Sequence, residues 1–174
     1  MSYNIILLDS DVQHANLIKD HLKGYSEYTI HIFTDAAACM AQVKTLKPSV
    51  IFLDAELKHD PATMEAETEL LFQLKELSPA SEIVLYSGEE KIELMLDKVK
   101  QGAHGFAIKA THTKAKAEML LLSAIRHYKQ SKDARFYKKL SILLVIALIA
   151  VVIFGIVAYK YKIVKDDIES PFDV

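Results

Sequence analysis

Residues 140–159 read LSILLVIALIAVVIFGIVAY, twenty positions without a charge. A helix of that length rises about 30 Å, the thickness of a bilayer's hydrocarbon layer. The core helices of soluble domains keep a polar face, and this run has none along its whole length. The spacing therefore predicts a membrane-crossing helix over 140–159, preceded by soluble sequence long enough for one domain with its own core and short for two.

Charge narrows what that domain can do. Residues 1–139 hold 18 Lys/Arg against 19 Asp/Glu, so no basic surplus exists to neutralise a nucleic-acid backbone, and no nucleic-acid partner is expected. The single cysteine, Cys39, sits in an Ala-rich apolar run and reads as a small core residue, with no disulfide available inside one chain. The opening MSYNIILLDSD lacks the basic start of a signal peptide, so residues 1–127 are expected to stay in the cytoplasm. Charge flanking the span agrees. Residues 120–139 contain six basic side chains and one acid, whereas residues 160–174 contain three basic and four acidic ones. The positive-inside bias then leaves 160–174 as a short extracytoplasmic tail.

The soluble part alternates short apolar runs with helical patterns. Residues 4–8, 28–33, 50–53, 82–86 and 105–108 read as strands. Helical spacing follows each: 12–23 closed by Gly24, an Ala-rich segment capped by Asp35 and stopped before Pro48, 64–77 after a polar loop at 58–63, 92–99 with Ile92, Met95, Leu96 and Val99 on one face and closed by Gly102, and a last pattern from 113. Strands without polar alternation belong to a parallel sheet covered on both faces, so the fold class is α/β, five-stranded and doubly wound. From Thr113 to Tyr159 there is no Pro, and the one Gly is Gly155 inside the span. The polar stretch KQSKDARFYKK, within a stalk at 128–139, is thus expected to be helical and continuous with both the last domain helix and the span.

In an open parallel sheet, sites form beyond the carboxyl ends of the strands. Those positions hold Asp9 with Ser10 and Asp11, Asp54 with Glu56, Ser87, and Lys109. The four lead residues are separated by 45, 33 and 22 positions. With the runs IILLDSD, VIFLDAEL, EIVLYSG and GAHGFAIKA, residues 3–127 resemble the receiver domain of bacterial two-component response regulators. The resemblance implies the strand order 2-1-3-4-5. It also implies Asp54 as phosphoacceptor, a Mg²⁺ ion held by Asp9, Asp54 and the backbone carbonyl of Glu56, Ser87 and Lys109 as phosphoryl-binding groups, and Phe106 as a switch aromatic. A hard cation suits oxygen ligands, and phosphoryl transfer needs positioning and charge neutralisation above all.

Two departures accompany the likeness. Where the family carries a second acid after the first strand, this chain has Ser10, so Asp11 or the Glu56 side chain becomes a further candidate ligand. Where the family has a proline after the lysine, this chain has Ala110, and a cis bond without proline costs about 3 kcal/mol, so a trans peptide is expected there.

The implied partners are a histidine kinase or phosphotransfer protein, the membrane, and other membrane proteins. A second copy of the chain is also a candidate, although Gly155 and Ala158 do not complete a small-xxx-small face. The implied location is the bacterial inner membrane, crossed once. Output is expected through protein contact, with no DNA-binding domain. The competing reading is a pseudo-receiver that scaffolds a membrane complex without phosphorylation. No enzyme is expected: Asp9-Ser10-Asp11-Val12 looks like the opening of haloacid-dehalogenase phosphatases, but Asp54 precedes Ser87, the reverse of that family's motif order. The seven histidines show no metal-ligand spacing, His21 and His127 read as surface or boundary residues, and Glu65, Glu67 and Glu69 read as a solvated helix start.

Overall fold

The computed structural model describes residues 2–22, 24–57, 66–88, 92–109 and 113–169. Five strands, β1 (Tyr3–Leu8), β2 (Tyr28–Phe33), β3 (Val50–Asp54), β4 (Glu82–Ser87) and β5 (Gly105–Ile108), alternate with α1 (Val12–Leu22), α2 (Ala36–Leu46), α3 (Ala66–Leu77), α4 (Ile92–Lys100) and α5 (Thr113–Glu169). All strand pairs are parallel, in the order β2-β1-β3-β4-β5.

The apolar strand runs bury both faces of the sheet. Ile5, Leu7, Val50, Phe52, Val84 and Tyr86 pack against Ile18 and Leu22 of α1 and Ala117, Leu121 and Ala124 of α5. Their neighbours Ile6, Leu8, Ile51, Leu53, Ile83 and Leu85 pack against α2, α3 and α4 through Cys39, Val43, Leu71, Leu74 and Met95. This is the period-2 alternation of a strand, apolar on both sides. Cys39 is buried and free.

Helix ends follow local chemistry. Asp35 caps α2, accepting from the Ala38 N–H at 2.8 Å. Lys47 ends it in the left-handed region (φ 46°), and its N–H reaches the Val43 carbonyl. Gly102, at φ 110°, makes the turn after α4 that a Cβ would strain. One face assignment needs correction. Leu96, which sequence spacing groups with Met95 and Val99, is 47% exposed while Met95 is buried. Met95 and Leu96 stand at opposite edges of that face, about 100° apart, and the core covers the Met95 edge.

Two compact units divide the chain, Met1–Ser131 and Lys132–Val174. The boundary falls within the stretch 128–139. The second unit belongs to α5, whose large apolar side chains from Leu140 to Tyr159 are all exposed. It is long and apolar enough to cross a membrane. The polar loop at 58–63, Ala110, and the side chains of Glu65, Glu67 and Glu69 lie outside what the structure describes.

Candidate functional site

The strand order reverses between β1 and β3, which opens a crevice beyond their carboxyl ends. Asp9 and Asp54 sit there, 4% and 2% exposed. The Asp9 N–H donates to the Phe33 carbonyl, extending the β1–β2 ladder by one bond so that the Asp9 side chain is held at the crevice. On the far side the Lys109 N–H donates to the Ser87 carbonyl at 2.7 Å, extending β4–β5 in the same way.

Lys109 Nζ lies 2.9 Å from Asp54 Oδ1 and 3.2 Å from Asp9 Oδ1, so one ammonium bridges both carboxylates. Asp54 Oδ1 also accepts the Glu56 N–H at 3.0 Å, and Oδ2 accepts the Ser10 hydroxyl at 3.2 Å. Ser10 thus donates a proton where a second acid would offer negative charge.

Electrostatics separates the two acids. Burial opposes ionisation of Asp9, but the His14 hydrogen bond, the Asp11 N–H and the Lys109 charge outweigh it and hold its pKa at about 2. Burial dominates at Asp54 and raises its pKa, with Lys109 offsetting part of the shift. Lys109 is itself buried, yet its contacts with Asp54 and Asp9 raise its pKa and keep it charged. The crevice is a carboxylate pair sharing one fixed cation.

Three features of this crevice were not legible as sequence. His14 Nδ1 lies 2.5 Å from Asp9 Oδ2. Among the described residues, its other nitrogen and the Tyr86 hydroxyl are buried with no hydrogen-bond partner, and His14 and Tyr86 line a small cavity beside Asp9. The Asp11 carboxylate, a candidate further ligand, accepts from the Gln13 and His14 N–H groups and caps α1, where a helix N-terminus offers it two donors. The Glu56 side chain turns to the other wall of the crevice. Its Oε1 accepts the Gly88 N–H at 2.8 Å and lies 3.5 Å from Ser87 Oγ. A Cβ at Gly88 would stand 3.0 and 3.1 Å from the two Glu56 carboxylate oxygens, so glycine makes the close seat possible.

Ser87 is 1% exposed, at the end of β4. Phe106 is half-buried against the α2–α3–α4 core, with Lys116 Nζ 5.5 Å from its ring centroid. The structure therefore brings Asp9, Ser10, Asp54 and Lys109 into direct contact, with Glu56 joining Asp54 to Ser87. Ala110 lies outside the described residues. The histidines are less scattered than their spacing suggests: His21 pairs with Glu118, and His127 and His104 both approach Glu82.

Residues 5–120 match the response regulator receiver domain model, and the chain belongs to that family. Among named relatives, the nitrogen assimilation regulatory protein NtrX of Azorhizobium caulinodans is 30% identical over 108 residues, which cover 61% of this chain and 22% of that protein. The chain thus spans less than a quarter of that relative's length. Among solved structures, NtrX from Brucella abortus in complex with ATP superposes with a TM-score of 0.67 at 22% identity, covering 77% of this chain and 29% of that one. The receiver domain of a LuxO repressor protein from Vibrio parahaemolyticus gives 0.67 at 15% identity, covering 77% and 98%. A CheY-like receiver from Methanospirillum hungatei gives 0.61 at 18%, covering 77% and 99%. At these identities the solved structures establish the fold.

Proposed function

We propose that this chain is a membrane-tethered receiver of a phosphorelay, phosphorylated on Asp54 and signalling through protein contact. The observation that carries the reading is the bridge from Lys109 to both Asp54 and Asp9. It sets an ionisable oxygen beside a fixed cation, the arrangement that phosphoryl transfer requires. Asp54 Oδ would form a bond to phosphorus as the bond from phosphorus to a donor histidine nitrogen breaks, its electron pair leaving with the imidazole. Lys109 would then pair with the new phosphoryl oxygens, and the Ser87 hydroxyl would donate to one of them.

Two buried carboxylates converging on one point form an all-oxygen donor set that fits Mg²⁺. Asp9 and Asp54 would hold the ion, together with the Glu56 backbone carbonyl, and when bound it would supply further neutralisation of phosphoryl charge. Phe106, half-buried beside β5, is the aromatic that would report the change to α4 and α5. The partners implied are a histidine kinase or phosphotransfer protein and membrane proteins contacted at that face. The tether would be residues 140–159, with residues 1–127 in the cytoplasm and a stalk at 128–139, in the inner membrane of a bacterium.

Ser10 and the Glu56 carboxylate seated on Gly88 favour a second reading, a pseudo-receiver that scaffolds a membrane complex without phosphorylation. Beryllofluoride with millimolar Mg²⁺, titrated into the full chain in detergent micelles and followed by fluorine NMR, separates the two. The phosphorelay reading expects binding that Asp54→Asn abolishes. No binding by the unsubstituted chain would leave the scaffold.

A further inference from the structure

At the opposite end of β4 from Ser87, three side chains from three elements converge. Glu82 opens β4, His104 directly precedes β5, and His127 lies on α5. Glu82 Oε1 is 2.8 Å from His127 Nδ1, and Glu82 Oε2 is 3.4 Å from His104 Nδ1. One ligand atom from each residue lies within 4.8 Å of the others. At a rise of about 3.3 Å per residue, the length of β4 puts this cluster roughly 16 Å from Ser87, so it is distinct from the acidic crevice.

We propose that Glu82, His104 and His127 form a binding site for a borderline divalent metal ion of the Zn²⁺ class. Two imidazoles and one carboxylate are ligands that Zn²⁺ takes, and metal–nitrogen bonds of 2.0–2.1 Å need ligand atoms about 3.3 Å apart in a tetrahedron. His127 Nδ1 and His104 Nδ1 face different Glu82 oxygens, at 2.8 and 3.4 Å, and one ligand atom from each residue lies within 4.8 Å of the others, so a small movement of the exposed His127 brings the three to tetrahedral spacing. Hard ions such as Mg²⁺ prefer all-oxygen sets, so this site selects against the ion expected at Asp54.

The surroundings are those of a ligand set. The Nε2 of His104 is 3.1 Å from Ser123 Oγ, which fixes the ring and leaves Nδ1 facing Glu82. Such an outer partner orients histidine ligands in metal sites. The side chains of Glu82 and His104 are 10% and 13% exposed, whereas that of His127 is 58% exposed, so two ligands are held in place and the third gives an ion access from solvent. The competing cation is Lys75, whose Nζ is held by the Ser81 carbonyl at 3.0 Å. Three protein ligands leave one position for water or a partner's side chain. A bound ion would clip α5 onto β4 and β5 within the first unit, near its boundary at Ser131.

The test is equilibrium dialysis of the tag-free full chain, in detergent micelles, against micromolar ZnCl₂ with millimolar Mg²⁺ present to occupy the acidic crevice. One Zn²⁺ per chain is expected. His127→Gln and His104→Gln should each weaken binding at least about tenfold, Ser123→Ala should weaken it about 10–100-fold, and Asp54→Asn should leave it unchanged. His127 is exposed, so its substitution does not threaten folding. No retained Zn²⁺ at micromolar concentration, retention undiminished in His127→Gln, or loss only in Asp54→Asn would each overturn the proposal.

Discussion

At the scale of single residues, the crevice is governed by which proton donors reach which carboxylate. Lys109 and His14 supply Asp9 with donors on both of its oxygens, while Asp54 receives Lys109, Ser10 and a backbone N–H. Glu56 occupies the Ser87–Gly88 wall, where the proposed chemistry needs free donors for phosphoryl oxygens. Glu56→Ala should therefore strengthen beryllofluoride binding by about fivefold, the equivalent of one ordinary hydrogen bond of roughly 1 kcal/mol, read by titration beside the unsubstituted chain. Unchanged or weaker binding would mean that the carboxylate does not compete for those donors. Residues at strand ends were legible in sequence because each follows an apolar run directly. His14, the seating of Glu56 on Gly88, and the Glu82–His104–His127 cluster were not. Each depends on side-chain direction or on strand register, such as the His104 N–H donating to the Ile83 carbonyl, and neither is written in linear spacing.

At the scale of elements, α5 serves two environments. Its first turns bury Ala117, Leu121 and Ala124 against the sheet, whereas the neighbouring Leu122 is 43% exposed. Leu121→Ala should cost about 2–5 kcal/mol in urea unfolding followed by tyrosine fluorescence, the cost of a cavity in a packed core. Leu122→Ala should stay within about 0.5 kcal/mol. Comparable costs at the two positions would show that the helix face is assigned wrongly. The strands were readable because five apolar runs without polar alternation admit few structures other than a covered parallel sheet. The β2 and β5 bounds coincide with their sequence patterns, and β1, β3 and β4 each extend one residue further, where backbone pairing continues past the apolar run. The face of α4 was not readable. Sequence spacing places Leu96 with Met95, but only the position of the neighbouring strand decides which is covered.

At the scale of the whole molecule, a receiver fold is followed by a helix that meets the length and hydropathy of a membrane span. If residues 140–159 anchor the protein, Ile146→Arg with Val152→Arg should move it from the membrane pellet to the soluble fraction, since each charge costs about 2.5–3.5 kcal/mol near a span's centre. Retention of the double variant in the membrane would place the anchor elsewhere. Phosphorylation of Asp54 is read by intact mass measurement of the full chain in micelles after incubation with acetyl phosphate and Mg²⁺. A gain of one phosphoryl group that is labile to hydroxylamine and absent from Asp54→Asn is predicted. A chain that gains no mass, or gains it equally in Asp54→Asn, would contradict the claim.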